Sequence, residues 1–311
     1  MSSINLKTIA LLVIPPMAWA GNAVVGRMLV GSMPPVAMNA IRWAIVALLL
    51  LPLAWRVLRE PKALLTRWEY LLALGMLGMG SYNALQYLAL QTSSPVNVTL
   101  IGASVPIWMM LVGWVAFGQC LVARQWLGAA LSFSGVLLVM GQGDPSVVLH
   151  LHVSPGDALM LLASLVWAVY SWLLAHPPAS MRAPLRPQWD WAAFLFVQAL
   201  FGLLWATLCS GAEAWWLGDQ APAIWPGSRW PVWAGLLFIA LAPSILAYRC
   251  WALGVAAVGP NTAALFINLI PVFAALWAAV FLGQWPHWYH PVALVLIASG
   301  IAVTARSPRR R

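Results

Sequence analysis

Charge is what this sequence has least of. Asp, Glu, Lys and Arg make up 7 % of its 311 residues, where a soluble domain carries about 25 %. A surface facing water cannot be built from so few charges, so most of the surface must face lipid. Cysteine is scarce too: Cys120, Cys209 and Cys250 are scattered and lack metal-ligand spacing, so no metal site is expected and they read as small apolar packing residues. No P-loop and no H-E-x-x-H pair occurs, which leaves direct ATP hydrolysis without a motif. Acids number only 7, and Glu60, Glu69, Asp144, Asp157, Asp190, Glu213 and Asp219 all fall in loops or near the ends of apolar runs. Proton- and sodium-coupled carriers place a carboxylate near the membrane midplane, and none is expected there. A facilitator or exchanger is favoured over a tightly proton-coupled pump. Converging acid, base or metal groups are also missing, so the chain does not read as an enzyme and no cofactor is expected.

What is abundant is apolar sequence: 63 % of the residues and a mean hydropathy of +0.86. A span needs about 20 apolar residues, and runs of that kind lie near 8–30, 35–55, 69–90, 97–117, 125–141, 157–175, 190–210, 232–253, 262–282 and 288–305. They lack apolar/polar alternation, which points to helices rather than barrel strands. The expected fold is an all-α integral membrane protein of ten transmembrane helices. Ala18-Trp19-Ala20 before Gly21 resembles a signal-peptide cleavage site, but Pro15 and Pro16 interrupt the run, and the segment is read as a retained helix. The net charge of +9 is no nucleic-acid signal, because the basic residues flank apolar runs. With both termini cytoplasmic, 12 of the 16 Lys and Arg fall on the inner side and only Arg229 in an outer loop, Arg27, Arg42 and Arg249 lying within spans. That bias sets the orientation. Trp215, Trp216, Trp225, Trp230 and Trp233 cluster around the outer 211–231 loop, as an interfacial belt does.

The two halves resemble each other. At an offset of 165, Pro95, Pro106, Gly118, Gln119, Ser134 and Gly135 match Pro260, Pro271, Gly283, Gln284, Ser299 and Gly300. Earlier in the chain the offset is 148, pairing Trp19 with Trp167. The expected units are residues 1–145 and 146–311, five helices each. An odd number of helices makes the second unit enter the membrane from the opposite side. Two inverted repeats can exchange conformations of similar energy, opening a central site first to one side and then to the other.

Four segments carry a family resemblance: "WAGNAVVGR" (19–27), "AIRWAIVALLL" (40–50), and the matched helices "PVNVTLIGASVPIWMMLVGWVAFGQ" (95–119) and "PNTAALFINLIPVFAALWAAVFLGQ" (260–284). Taken in order, they resemble the EamA family of the drug/metabolite transporter superfamily over nearly the whole chain. One departure is that the family usually ends the matched helix with Gly-Glu, whereas Gln119 and Gln284 stand here. A hydrogen-bonding role at the helix end survives this change; a role needing charge does not. The resemblance implies a ten-helix carrier of the inner (plasma) membrane, with a central cavity for amino acids, their derivatives, other metabolites or toxic compounds, often moved outward.

Polar groups inside spans are the informative ones, since lipid offers them no partner. Arg249 reads either as a carboxylate contact in the cavity or as a side chain snorkelling to the interface, and Arg42 carries the same pair of readings. Asn22 corresponds to Tyr170, and Asn83 to Tyr248. Tyr82 and Gln86 share a helix face at i, i+4, and Asn268 sits in the Pro271 helix. These residues either line a cavity or tie helices together. Trp19, Trp108 and Trp167 suit cavity walls or packing. The substrate-binding set expected is Trp19, Asn22, Tyr82, Asn83, Gln86, Trp108, Tyr170, Tyr248, Arg249 and Asn268, with helix kinks at Pro106 and Pro271. The expected function is alternating-access export of small metabolites such as amino acids or derivatives, by a monomer or homodimer in the bilayer. A lipid-linked substrate carrier and a non-transporting assembly protein are the rivals.

Overall fold

The computed structural model describes residues 5–29, 31–93, 95–120, 122–150, 152–218, 230–283 and 285–305. Trp225, Arg229, Gln284 and the Arg27 side chain lie outside the described set. No β-strand occurs among the described residues. The α-helices are α1 (Leu6–Leu29), α2 (Pro35–Ala54), α3 (Pro61–Leu65), α4 (Trp68–Leu74), α5 (Tyr82–Thr92), α6 (Pro95–Gly102), α7 (Val105–Phe117), α8 (Ala123–Met140), α9 (Pro145–Leu149), α10 (Pro155–Ala175), α11 (Trp191–Leu217), α12 (Trp230–Ile239), α13 (Ala247–Val258), α14 (Pro260–Ala264), α15 (Ile270–Leu282) and α16 (Tyr289–Ala305). Eight helical runs are long and apolar enough to cross a membrane: Leu6–Gly26, Pro35–Arg59, Asn97–Phe117, Ala123–Met140, Pro155–Ala175, Trp191–Leu217, Trp230–Val258 and Pro260–Val280. Two further expected spans fall on helical structure outside that set. The 69–90 run is α4, a π-helical turn over Gly75–Ser81 and α5, diluted by Tyr, Asn and Gln. The 288–305 run is α16, 17 residues long.

Local sequence explains where the helices start and stop. Proline occupies the first turn of α2, α3, α7, α10, α14 and α15, where its missing N–H would have had no partner anyway. Asp190 caps α11, accepting from the Ala193 N–H at 2.8 Å. Glu213, on α11, caps a different helix: its carboxylate accepts from the Val36 and Ala37 N–H groups at the start of α2, at 3.1 Å. Gly118 and Gly283 end α7 and α15 at φ +62° and +67°, a left-handed turn that favours glycine.

The expected kinks at Pro106 and Pro271 take a different form. Each proline is the second residue of a helix, because the chain is already divided before it: at Ala103–Ser104 in one case, and by a 3₁₀ turn over Leu265–Leu269 in the other. A proline inside a continuous helix removes a hydrogen bond, whereas one in the first turn costs almost nothing. The division itself recurs 165 residues along, as α7 and α15. So does the π turn, over Gly75–Ser81 and Ala240–Leu246.

The polarity of the molecule is turned inside out relative to a soluble protein. Val115 and Leu48 are 76 % and 68 % exposed, and Trp215 and Trp216 more than 80 %. Asn22, Asn39, Arg42, Asn83, Gln198 and Asn268 are buried. Exposed apolar surface on this scale suits lipid and not water. α2 packs against α11, α8 against α16, α10 against α5 and α7, and α1 against α13 and α15. The largest fully buried side chains, among them Trp43, Trp167, Trp251, Arg42 and Tyr170, gather at the centre of this bundle.

Candidate functional site

A cavity of ≈ 360 Å³ opens into the bundle between α1, α5, α6, α10, the 265–269 turn and α15. On α1, Trp19, Asn22 and Gly26 face it at i, i+3 and i+7, one helix face; on α5, Tyr82, Asn83, Gln86, Tyr87 and Leu90 do. Ile267, Asn268, Ile270 and Pro271 close it from the second half of the chain. Of the expected set, Trp19, Asn22, Tyr82, Asn83, Gln86, Asn268 and the expected kink Pro271 therefore lie on one cavity wall or another.

Tyr170 and Tyr248 lie behind that wall, each 2 % exposed or less. They belong to an aromatic cluster centred on Trp167, whose ring centroid is 4.9 Å from Tyr82, 5.2 Å from Trp19, 5.2 Å from Tyr170 and 5.6 Å from both Tyr248 and Trp251. Trp19 and Trp167, equated by the 148-residue offset, meet edge to face at 88°. Asn83 and Tyr248, equated by the 165-residue offset, are joined by a long hydrogen bond of 3.5 Å. The cross-links continue at the two π turns: Tyr248 donates to the Gly78 carbonyl and Trp19 Nε1 to that of Pro243, the latter at 3.0 Å. Trp108 only packs against the central cluster and stands apart from the cavity, and Pro106 is buried away from it.

Arg249 is not a cavity residue. Its side chain is exposed and its guanidinium sits 4.1 Å from the centroid of the Trp191 ring. Tyr248 faces the centre, and Arg249, the next residue of α13, is turned about 100° around the helix and lies over Trp191 instead. Arg42 is the buried arginine instead, 1 % exposed, which removes the snorkelling reading for it. Its Nε donates to Ser244 Oγ at 2.7 Å, and its Nη1 to Asn83 Oδ1 at 2.8 Å and Tyr87 Oη at 3.3 Å. Its Nη2 is buried without a partner. Nothing acidic pairs with it among the described residues. Asp157 is engaged by Ser93, Asn97 and the Ser154 N–H, and Glu213 caps α2. The signal for Arg42 was present in the sequence: Asn39, Arg42, Trp43 and Val46 recur every three or four residues on one face of α2, and all four are buried. Tyr87 is absent from the expected set, although it follows Asn83 at i, i+4, the spacing that singled out Tyr82 and Gln86.

A family model described as the EamA-like transporter family matches residues 6–141 and again 154–306. The uncharacterized transporter YyaM of Bacillus subtilis (strain 168) is 27 % identical over 201 residues, 65 % of this chain and 61 % of its own length. The aromatic amino acid exporter YddG of Ancylobacter novellus is 23 % identical over 287 residues, 90 % of this chain and 91 % of its own. A solved crystal structure superposes with a TM-score of 0.70 at 20 % identity, covering 98 % of this chain and 99 % of the other, a likeness of fold.

Proposed function

Because the chain belongs to the EamA-like transporter family, we propose that it is an alternating-access carrier exporting small metabolites such as amino acids or their derivatives. The observation that carries this reading is the cavity of ≈ 360 Å³, lined by polar and aromatic side chains of the first half of the chain and closed by Asn268 and apolar side chains of the second. Its volume sits at the small end of ligand sites and suits a metabolite rather than a lipid-linked cargo. In this reading ten spans form two inverted units, 1–145 and 146–311, as a monomer or homodimer in the inner membrane with both termini cytoplasmic. The recurrence of the π turn and of the divided helix at 165 residues supports the repeat, and the matched segments of the family model agree with it. Transport outward follows the exporter among the relatives.

In that orientation the cavity lies in the outer half of the membrane. Asn22, Gly26, Gln86, Leu90 and Val98 belong to the halves of α1, α5 and α6 that lead to the outer connections near residues 30 and 94. The Trp167 cluster lies below it and closes the cytoplasmic side. Exchanging the two units would open the inner side and close the outer one. No carboxylate lines the cavity among the described residues, which favours facilitated transport or exchange over proton coupling. Proteoliposomes loaded with labelled amino acids and metabolites, with and without a pH gradient, test both points. Movement of at least one small metabolite, at a rate indifferent to the gradient, is expected; failure of every solute to move would refute the carrier reading.

A further inference from the structure

Arg42 is donor-only, and that property determines the polarity of the cavity wall. Because Arg42 Nη1 donates to Asn83, the oxygen of Asn83 must face Arg42, and its Nδ2 is turned away. Tyr87 Oη, which accepts from the same Nη1, has its own proton to give and donates it to Asn22 Oδ1 at 3.2 Å. Asn22 is thereby oriented as well, its oxygen engaged and its Nδ2 left as the other end. Tyr248 Oη spends its proton on the Gly78 carbonyl and so accepts from Asn83 Nδ2. Asn22, Asn83 and Tyr87 all line the cavity. On this wall the Nδ2 of Asn83 is held by Tyr248, and the Nδ2 of Asn22 is left as the donor, with the buried positive charge of Arg42 linked to it through Tyr87. Gln86, Thr99 and Asn268 are the other polar side chains of the lining, all of them neutral, and the remainder is apolar or aromatic, with Trp19, Tyr82, Leu90, Val98, Met160 and Ile270 among them.

A buried charge without a counter-ion is costly, and a ligand of opposite charge lowers that cost. An ammonium ion finds no such partner, since no acid lines the cavity among the described residues. We propose that the cavity recognises its cargo by a carboxylate, bound at the Asn22–Asn83 wall that Arg42 polarises from behind, and that an ammonium group on the cargo is dispensable. The cargo is thus an amphipathic carboxylate, such as an amino acid with an apolar side chain or its N-acylated form. Arg42 acts as a positioning residue, through Asn83 and Tyr87. This inference rests on the carrier reading above and names the group that reading leaves unspecified.

The test uses the purified full chain in detergent, with affinities taken from ligand-dependent shifts of thermal unfolding. The probes are L-phenylalanine, N-acetyl-L-phenylalanine and L-phenylalanine methyl ester. The two carboxylates should bind within about threefold of each other, and the ester about 10- to 100-fold more weakly, the loss expected for a charge-assisted hydrogen bond. Arg42→Gln should bring the carboxylates down to the affinity of the ester and leave the ester unchanged. Should Arg42→Gln fail to fold, Tyr87→Phe removes one hydroxyl, cuts the link from Arg42 to Asn22, and should weaken the acids alone. Equal binding of ester and acid, rejection of the N-acetyl form while phenylalanine binds, or no binding of any probe would each overturn the proposal. Transport in proteoliposomes is the separate readout: solutes that move without carboxylate preference sink this inference and leave the carrier reading standing.

Discussion

Gly78 offers a sharp test of how the two halves meet. A Cβ added there would lie 2.5, 2.6 and 2.9 Å from three ring atoms of Tyr170. Tyr170 has nowhere to go: it is 1 % exposed, packs against Trp167 and bonds Gln198 Oε1 at 3.4 Å. Overpacking a filled core costs about 1–3 kcal/mol, while replacing a helix-interior glycine by alanine returns roughly 0.5–1 kcal/mol. Gly78→Ala should therefore destabilise by about 0.5–2 kcal/mol. Gly211, in α11, has no atom within 4 Å of its would-be Cβ, so Gly211→Ala should stabilise by roughly 0.5–1 kcal/mol. Thermal unfolding in a mild detergent, followed by tryptophan fluorescence, reads both. Transport should fall in Gly78→Ala, because Tyr248 hydrogen-bonds the Gly78 carbonyl, and remain unchanged in Gly211→Ala. Shifts of the same sign in the two variants would refute the reasoning.

Other expectations follow from the same contacts. Arg249→Ala should change transport by less than about fivefold, since an exposed cation–π contact is worth only ≈ 0.5–1 kcal/mol; a loss of transport as large as that in Arg42→Gln would return Arg249 to the binding site. Glu213→Ala strands the Val36 and Ala37 N–H groups and should cost about 1–3 kcal/mol, with Glu213→Gln milder because one oxygen still accepts; equal unfolding temperatures for the two variants would show that the cap does not matter. Single cysteines at Lys62 and Gly218, in a background lacking Cys120, Cys209 and Cys250, should label from opposite sides of the membrane, and labelling from one side would overturn the topology.

Much of the architecture is legible in composition alone. Few charges and long apolar runs force helices into lipid, because an unpaired backbone group there is costly. The wall of the cavity was partly legible as well. Asn22, Tyr82, Asn83, Gln86 and Asn268 stand out because a polar side chain in an apolar run needs a reason. Proline was more misleading. Pro106 and Pro271 read as interior kinks, since a sequence shows how long an apolar run is but not where its hydrogen bonding pauses. The structure places that pause just before each proline, where the ring sits in a first turn.

The sequence by itself determined the membrane-helical class and the family, both set by residue types summed over long windows. It also marked the polar side chains that had to find partners inside. The tertiary structure decided which arginine lies at the centre. Arg42 and Arg249 are alike as residues within spans; the rotation of α2 and α13 about their axes separates them, and packing against neighbouring helices sets that rotation. It also decided the direction of the hydrogen bonds from Arg42 through Asn83 and Tyr87 to Asn22, which join α2, α5 and α1. A charge acts through space, and only the fold says what stands within its reach.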